Sequence, residues 1–94
     1  MKIIGLGLLH AYCDAHPDTR RWIENWIADT KHNVWKTPQE IRNRYNSASF
    51  LPENFVIFNV RGNEHRLTVQ IAYNSGVIAV KRIESHAQYS RRKK

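Results

Sequence analysis

Residues 55–89 read FVIFNVRGNEHRLTVQIAYNSGVIAVKRIESHAQY, three runs rich in Val, Ile, Phe and Tyr parted by Gly62-Asn63 and Asn74-Ser75-Gly76. β-Branched and aromatic residues suit a pleated, half-buried surface, and Gly and Asn supply the positive φ values that tight hairpins demand. The stretch therefore predicts an antiparallel three-stranded meander. Along its middle run Leu67, Val69, Ile71 and Tyr73 alternate with Arg66, Thr68 and Gln70. A period of two sends the first set into a core and leaves the second on a wet, basic face. On the third run Ile78 and Val80 join the core, which sends Lys81 to the polar face and leaves Arg82 at the strand end. Arg66 and Lys81 then converge on one polar surface, with His86 and Tyr89 just beyond the last strand. That grouping suits a phosphate.

Upstream of the meander the periodicity changes to helical. Lys2 to Gly5 reads as a first strand, and Leu6, Leu9, Tyr12 and Cys13 fall at helical spacing, so a helix is expected from about Leu6 to Ala15, with Gly7 its weak point. Pro17 and Asp18 suit the first turn of a second helix, down which Trp22, Ile23, Trp26 and Ile27 form an apolar stripe. Base stacking by the two tryptophans is the lesser reading; the stripe belongs on the sheet. Thr37-Pro38-Gln39-Glu40 is a capping box with Pro at the first helical position, opening a short helix to about Arg44. Asn46 to Ser49 then lead through Phe50-Leu51-Pro52 into the meander. The expected fold is α+β, one domain over residues 1–94, with helices on one face of a small antiparallel sheet and the other face open. The N-terminal strand is expected beside the central or first meander strand.

The 94 residues carry a formal net charge of +7, which favours a polyanionic partner, with nucleic acid the commonest for a small basic domain. Residues 1–45 contribute net +2 and residues 46–94 net +5, so the sheet half faces the anion. Part of that excess is the basic run Arg91 to Lys94, which reads equally as a solvated tail. Cys13 is the only cysteine, which excludes an intramolecular disulfide and points to a reducing, cytoplasmic setting. No apolar run approaches the ~20 residues of a membrane span. The start resembles a signal peptide only faintly, because His10 and Asp14 interrupt it and no small-x-small cleavage site follows. His10, His16, His32, His65 and His86 show no metal-ligand spacing, so neither metal nor cofactor is expected.

Several segments together resemble the HigB-type toxins of type II toxin-antitoxin systems, within the RelE/ParE group. They are Trp35-Lys36-Thr37-Pro38, Ser47 to Pro52, Phe58-Asn59-Val60, Gly62-Asn63, Arg66-Leu67 and the closing Ser85-His86-Ala87-Gln88-Tyr89. The resemblance implies a small sheet backed by an N-terminal helical pair. It also implies an mRNA endonuclease acting on message at the ribosome, neutralised by a helix-turn-helix, HigA-like antitoxin. Carried over, Arg66 matches the arginine after the Gly-Asn turn, Lys81 the lysine of the last strand, and His86 and Tyr89 the closing His-x-x-Tyr. Ser90 stands where such toxins commonly place an acid.

The residues support the same chemistry. Metal-independent RNA cleavage uses the substrate's 2′-hydroxyl, so the protein must supply an acid, a base and cations for the charge on phosphorus. His86 serves as acid or base, Tyr89 positions substrate or transfers a proton, and Arg66 and Lys81 hold the scissile phosphate. Arg61, Arg82, Arg91 and Arg92 are further RNA-binding candidates. His65 points to the face opposite Arg66 and is the weaker candidate. Two other classes stay open: a toxin that binds DNA gyrase without catalysis, and a degenerate RNA-binding domain.

Overall fold

The computed structural model describes residues 1–93, with side chains through Arg91. The order is β1 (Lys2–Ile4), α1 (Leu6–Ala15), a 3-10 turn (Pro17–Thr19), α2 (Arg20–His32), α3 (Pro38–Arg44), β2 (Ser49–Leu51), a second 3-10 turn (Pro52–Asn54), β3 (Phe55–Val60), β4 (His65–Ala72), β5 (Val77–Ser85) and α4 (His86–Lys93). The strands form one mixed sheet in the order β1-β5-β4-β3-β2. The fold is α+β as expected, with five strands rather than four.

The meander forms as read, and its apolar alternation builds the core. Val56, Phe58 and Val60 of β3, Leu67, Val69 and Ile71 of β4, and Ile78 and Val80 of β5 are buried on one face. Ile23 and Trp26 of α2, Leu9 and Cys13 of α1 and Ile41 of α3 close over them. The tryptophan stripe is thus a core feature: Trp26 meets Phe58 edge-on at 5.6 Å between ring centroids. Thr37 caps α3 as predicted, its hydroxyl accepting the Glu40 N–H at 3.3 Å.

Three expectations need correction. The N-terminal strand lies beside neither the central nor the first meander strand; β1 pairs in parallel with β5, the last, with Ile3 opposite Ile78. The reason is edge availability. β4 is hydrogen-bonded on both sides, and the outer edge of β3 is taken by β2, which pairs antiparallel with it through Phe50 and Val56. Only the outer edge of β5 is left. Second, β5 does not end near Arg82 but runs to Ser85, because a bulge absorbs a residue: Thr68 pairs with Arg82 and Val69 with Val80, leaving Lys81 unpaired. Third, the face away from α1 to α3 is partly covered. Tyr89 of α4 lies over Arg66, Gln70 Nε2 donates to the Glu53 carbonyl at 3.0 Å, and Ile57 and Thr68 between them are buried.

The first hairpin turn also differs in detail. Positive φ falls at Arg61 (53°) and Gly62 (67°), not at Asn63. Among the described residues no helix is long and apolar enough to cross a membrane.

Candidate functional site

The last strand passes into α4 without a loop, and a second capping box makes the junction. The Gln88 N–H donates to Ser85 Oγ at 3.2 Å, while the Ser85 N–H donates to Gln88 Oε1 at 3.0 Å. Two backbone donors at the helix start are satisfied reciprocally. His86 is therefore the first helical residue, exposed, and its own N–H donates to the Glu64 carbonyl at 2.7 Å. That bond ties the helix start to the turn from which β4 departs. Tyr89, three residues on, lies on the same side of α4 as His86.

Arg66 leaves β4 on this face. Its Cζ sits 5.3 Å from the centre of the Tyr89 ring, and its NH1 faces the Asn63 carbonyl and side-chain oxygens at 3.4 and 3.5 Å. The guanidinium is positioned by a ring and a turn rather than neutralised by them. Opposite Arg66 in register is Glu84 of β5, 8% exposed, with Arg82 Nε 3.9 Å from its Oε1. Sequence reasoning passed over this carboxylate. The signal was there, as an acid at the end of the Lys81-Arg82-Ile83-Glu84 run, where alternation places it beside Arg82 and not beneath the helices. Thr68, between Arg66 and Gln70, is buried with no partner for its hydroxyl among the described residues.

The expected site residues divide. Arg66, His86 and Tyr89 gather at the β4–α4 corner. Arg82 is exposed and shares their face through its pairing with Thr68. Lys81, in the bulge, is exposed and lines a groove of about 660 Å³ between α1 and the outer edge of β5, together with Leu8, Tyr12, Arg82 and Gln88. Arg61 turns the other way: its NH1 lies 3.2 Å from Asp18 Oδ2 and 3.8 Å from Glu64 Oε2. Arg91 is exposed on α4, and the Arg92 side chain lies outside the described residues.

On the helix-covered side, His65 is 5% exposed and bound at both ring nitrogens. Tyr12 Oη is 2.7 Å from its Nδ1, and Asp18 Oδ2 is 3.1 Å from its Nε2. His16 stacks on Tyr12 at 4.2 Å and meets His65 edge-on at 5.4 Å. The hydrogen bond from His65 holds the Asp18 carboxyl below the usual carboxylate range, Arg61 adding to the effect against partial burial. Burial, with the charges of Asp18 and Glu84, pushes the Tyr12 hydroxyl up to about 12. Ligand atoms of Asp18, Glu64 and His65 come within 4.8 Å of one another, a donor set for a metal that no sequence spacing revealed. The Arg61 guanidinium already bridges the two carboxylates, and a cation there would have to displace it.

The sequence model of the HigB toxin family, the RelE-like toxic component of a toxin-antitoxin system, matches residues 19–92. The chain belongs to this family. No curated protein matches it. The match spans the whole β4–α4 corner, so Arg66, Lys81, His86 and Tyr89 lie in the part shared with other HigB toxins, whereas Tyr12, His16 and Asp18 precede it. Membership makes this HigB-family chain the toxin of a toxin-antitoxin system, and such a toxin implies an antitoxin partner.

Proposed function

We propose that this toxin is a metal-independent endoribonuclease that cleaves translated mRNA at the ribosome in the cytoplasm, and that a helix-turn-helix, HigA-like antitoxin holds it inactive. The observation that carries the reading is the β4–α4 corner, where Arg66 lies against Tyr89 and His86 occupies the first turn of the same helix. Arg66 binds the scissile phosphate and stabilises the charge that builds on it. His86, exposed in the first turn of the helix that carries Tyr89, takes the proton from the 2′-hydroxyl or returns one to the leaving 5′-oxygen. The Tyr89 ring orients the guanidinium, and its hydroxyl sits on the same side of the helix as the imidazole. Lys81 and Arg82 extend the cationic surface along β5 for the flanking phosphates. Ser90 leaves the closing motif without its usual acid, and Ser90→Asp is expected to raise activity if that acid fixes the His86 ring.

The test is the substrate's own chemistry. A single 2′-deoxy nucleotide on the 5′ side of the cut should abolish cleavage there and leave binding nearly intact, with 2′,3′-cyclic phosphate and 5′-hydroxyl ends from the all-ribose substrate. His86→Gln should spare binding and lower the rate by about 10²- to 10⁴-fold, the range for a general acid or base. Tyr89→Phe, which keeps the ring over Arg66, separates positioning from proton transfer: activity retained assigns the ring, activity lost assigns the hydroxyl. Undiminished cutting of the deoxy substrate, or 5′-phosphate ends, would replace this mechanism with activated water.

A further inference from the structure

Three consecutive residues, Glu64, His65 and Arg66, each hold a different part of the molecule. The Glu64 carbonyl accepts the N–H of His86, the His65 ring is bound by Tyr12 and Asp18, and the Arg66 guanidinium lies on Tyr89. β4 begins at His65, immediately after a turn in which Arg61 adopts a left-handed conformation, φ 53°. Left-handed backbone at a residue with a Cβ costs about 1–2 kcal/mol, so the turn needs an external anchor to hold one geometry. Asp18 supplies it twice, accepting from Arg61 NH1 at 3.2 Å and from His65 Nε2 at 3.1 Å. Tyr12 closes the other ring nitrogen at 2.7 Å.

Because an ionised Asp18 only accepts, His65 donates to it from Nε2–H, and in a neutral ring Nδ1 then accepts from the Tyr12 hydroxyl. The chain Tyr12–His65–Asp18 therefore has a single direction and every member is satisfied. It joins α1 and the Pro17–Thr19 turn to the first residue of β4, one residue before the expected phosphate ligand. Alternation puts His65 and Arg66 on opposite faces of the sheet, so the chain acts from beneath without touching RNA.

We infer that His65 is a positioning residue for the β4–α4 corner: the Tyr12–His65–Asp18 chain fixes the start of β4 and thereby sets Arg66 against Tyr89 and His86 against Glu64. The inference rests on the ribonuclease reading only for its kinetic consequence, since the geometry of the corner exists whether or not RNA is cut. Tyr12 and Asp18 lie before the residues that match the family model, whereas His65 lies within them.

The experiment uses the full chain with Tyr12→Phe, which deletes one oxygen, and His65→Phe, which removes both ring bonds. Thermal melts establish that each variant folds. Cleavage kinetics on a short RNA, binding of its uncleavable 2′-deoxy analogue and the imidazole resonances of His86 are then compared with the parent. Both variants should lose at least tenfold in kcat with binding within about twofold, and the His86 resonances should shift or broaden in both. The Tyr12→Phe/His65→Phe double variant should lose no more than His65→Phe alone, because the two act as one unit. A chain that merely stabilises would lower the melting temperature while leaving kcat of the folded protein and the His86 resonances unmoved, and that result overturns the inference. If the parent cuts no RNA, the ribonuclease reading fails, and the His86 resonances still decide whether the anchor positions the corner.

Discussion

Two glycines in the first helical segment have opposite reasons for being there. Gly5, at the start of α1, has φ 97°, and a Cβ on it would meet Val80 Cβ at 3.0 Å and the Val80 carbonyl at 3.1 Å. It lets α1 leave β1 directly against β5. Gly7 lies within the helix, and a methyl group added to it would have nothing within 4 Å. Gly5→Ala should therefore destabilise by about 1–3 kcal/mol, from strained backbone and overpacking together. Gly7→Ala should stabilise by about 0.5–1 kcal/mol. Chemical denaturation of the two variants checks both signs. Sequence alone marked Gly7 as the weak point of the helix and said nothing of Gly5, because the demand on Gly5 comes from a strand more than seventy residues away.

The same division between local and distant causes explains which elements were legible. α1 and α3 were readable to their ends, since apolar spacing and the Thr37 cap are local signals. β2 was not, being three residues long and half of a hairpin whose alternation is too short to register. Lys81-Arg82 between Val80 and Ile83 breaks the period of two, and that break is the bulge; only the pairing register shows which residue is extra. His65 was legible as facing away from Arg66, but its anchor joins residues 47 and 53 positions apart. At the α2–α3 junction a further distant cluster forms: Asp29 accepts from Arg44 Nε at 2.6 Å, Tyr45 Oη at 2.8 Å and Asn33 Nδ2 at 3.1 Å. Burial pushes the Asp29 carboxyl up, and these donors more than offset it, so its folded pKa lies below the ordinary value. A depressed carboxylate contributes stability that is fully present above the unfolded pKa, about 3.9, and is lost as pH falls through the folded value. Acid titration should lower the stability of the parent from about pH 4 downward, and Asp29→Asn should flatten that part of the profile while lowering stability at neutral pH. An unchanged acid profile in the variant would remove Asp29 as a cause of the acid sensitivity.

At the scale of the whole molecule the count of 15 Lys and Arg overstates what RNA can use. Arg44 is paired with Asp29, Arg20 with Asp14, and Arg61 with Asp18 and Glu64, all on the helix side or at the turn. Arg82 is only loosely paired, 3.9 Å from Glu84. Arg66 rests on a ring and on neutral oxygens, and Lys81 stands exposed in its bulge. At the proposed site the cations open to RNA lie along β4, β5 and α4, and the count of released counterions should follow that geometry rather than the total. For single strands each neutralised phosphate contributes about −0.7 to the slope of log affinity against log salt. Measured on the uncleavable 2′-deoxy RNA, Arg82→Ala and Lys81→Ala should each make the slope shallower by about that amount. Arg61→Ala should leave the slope within error of the parent, because its charge is already spent on two carboxylates, while costing stability at the turn. Equal slope changes for Arg61 and Arg82 would mean that the helix side also contacts RNA and that binding reads net charge alone.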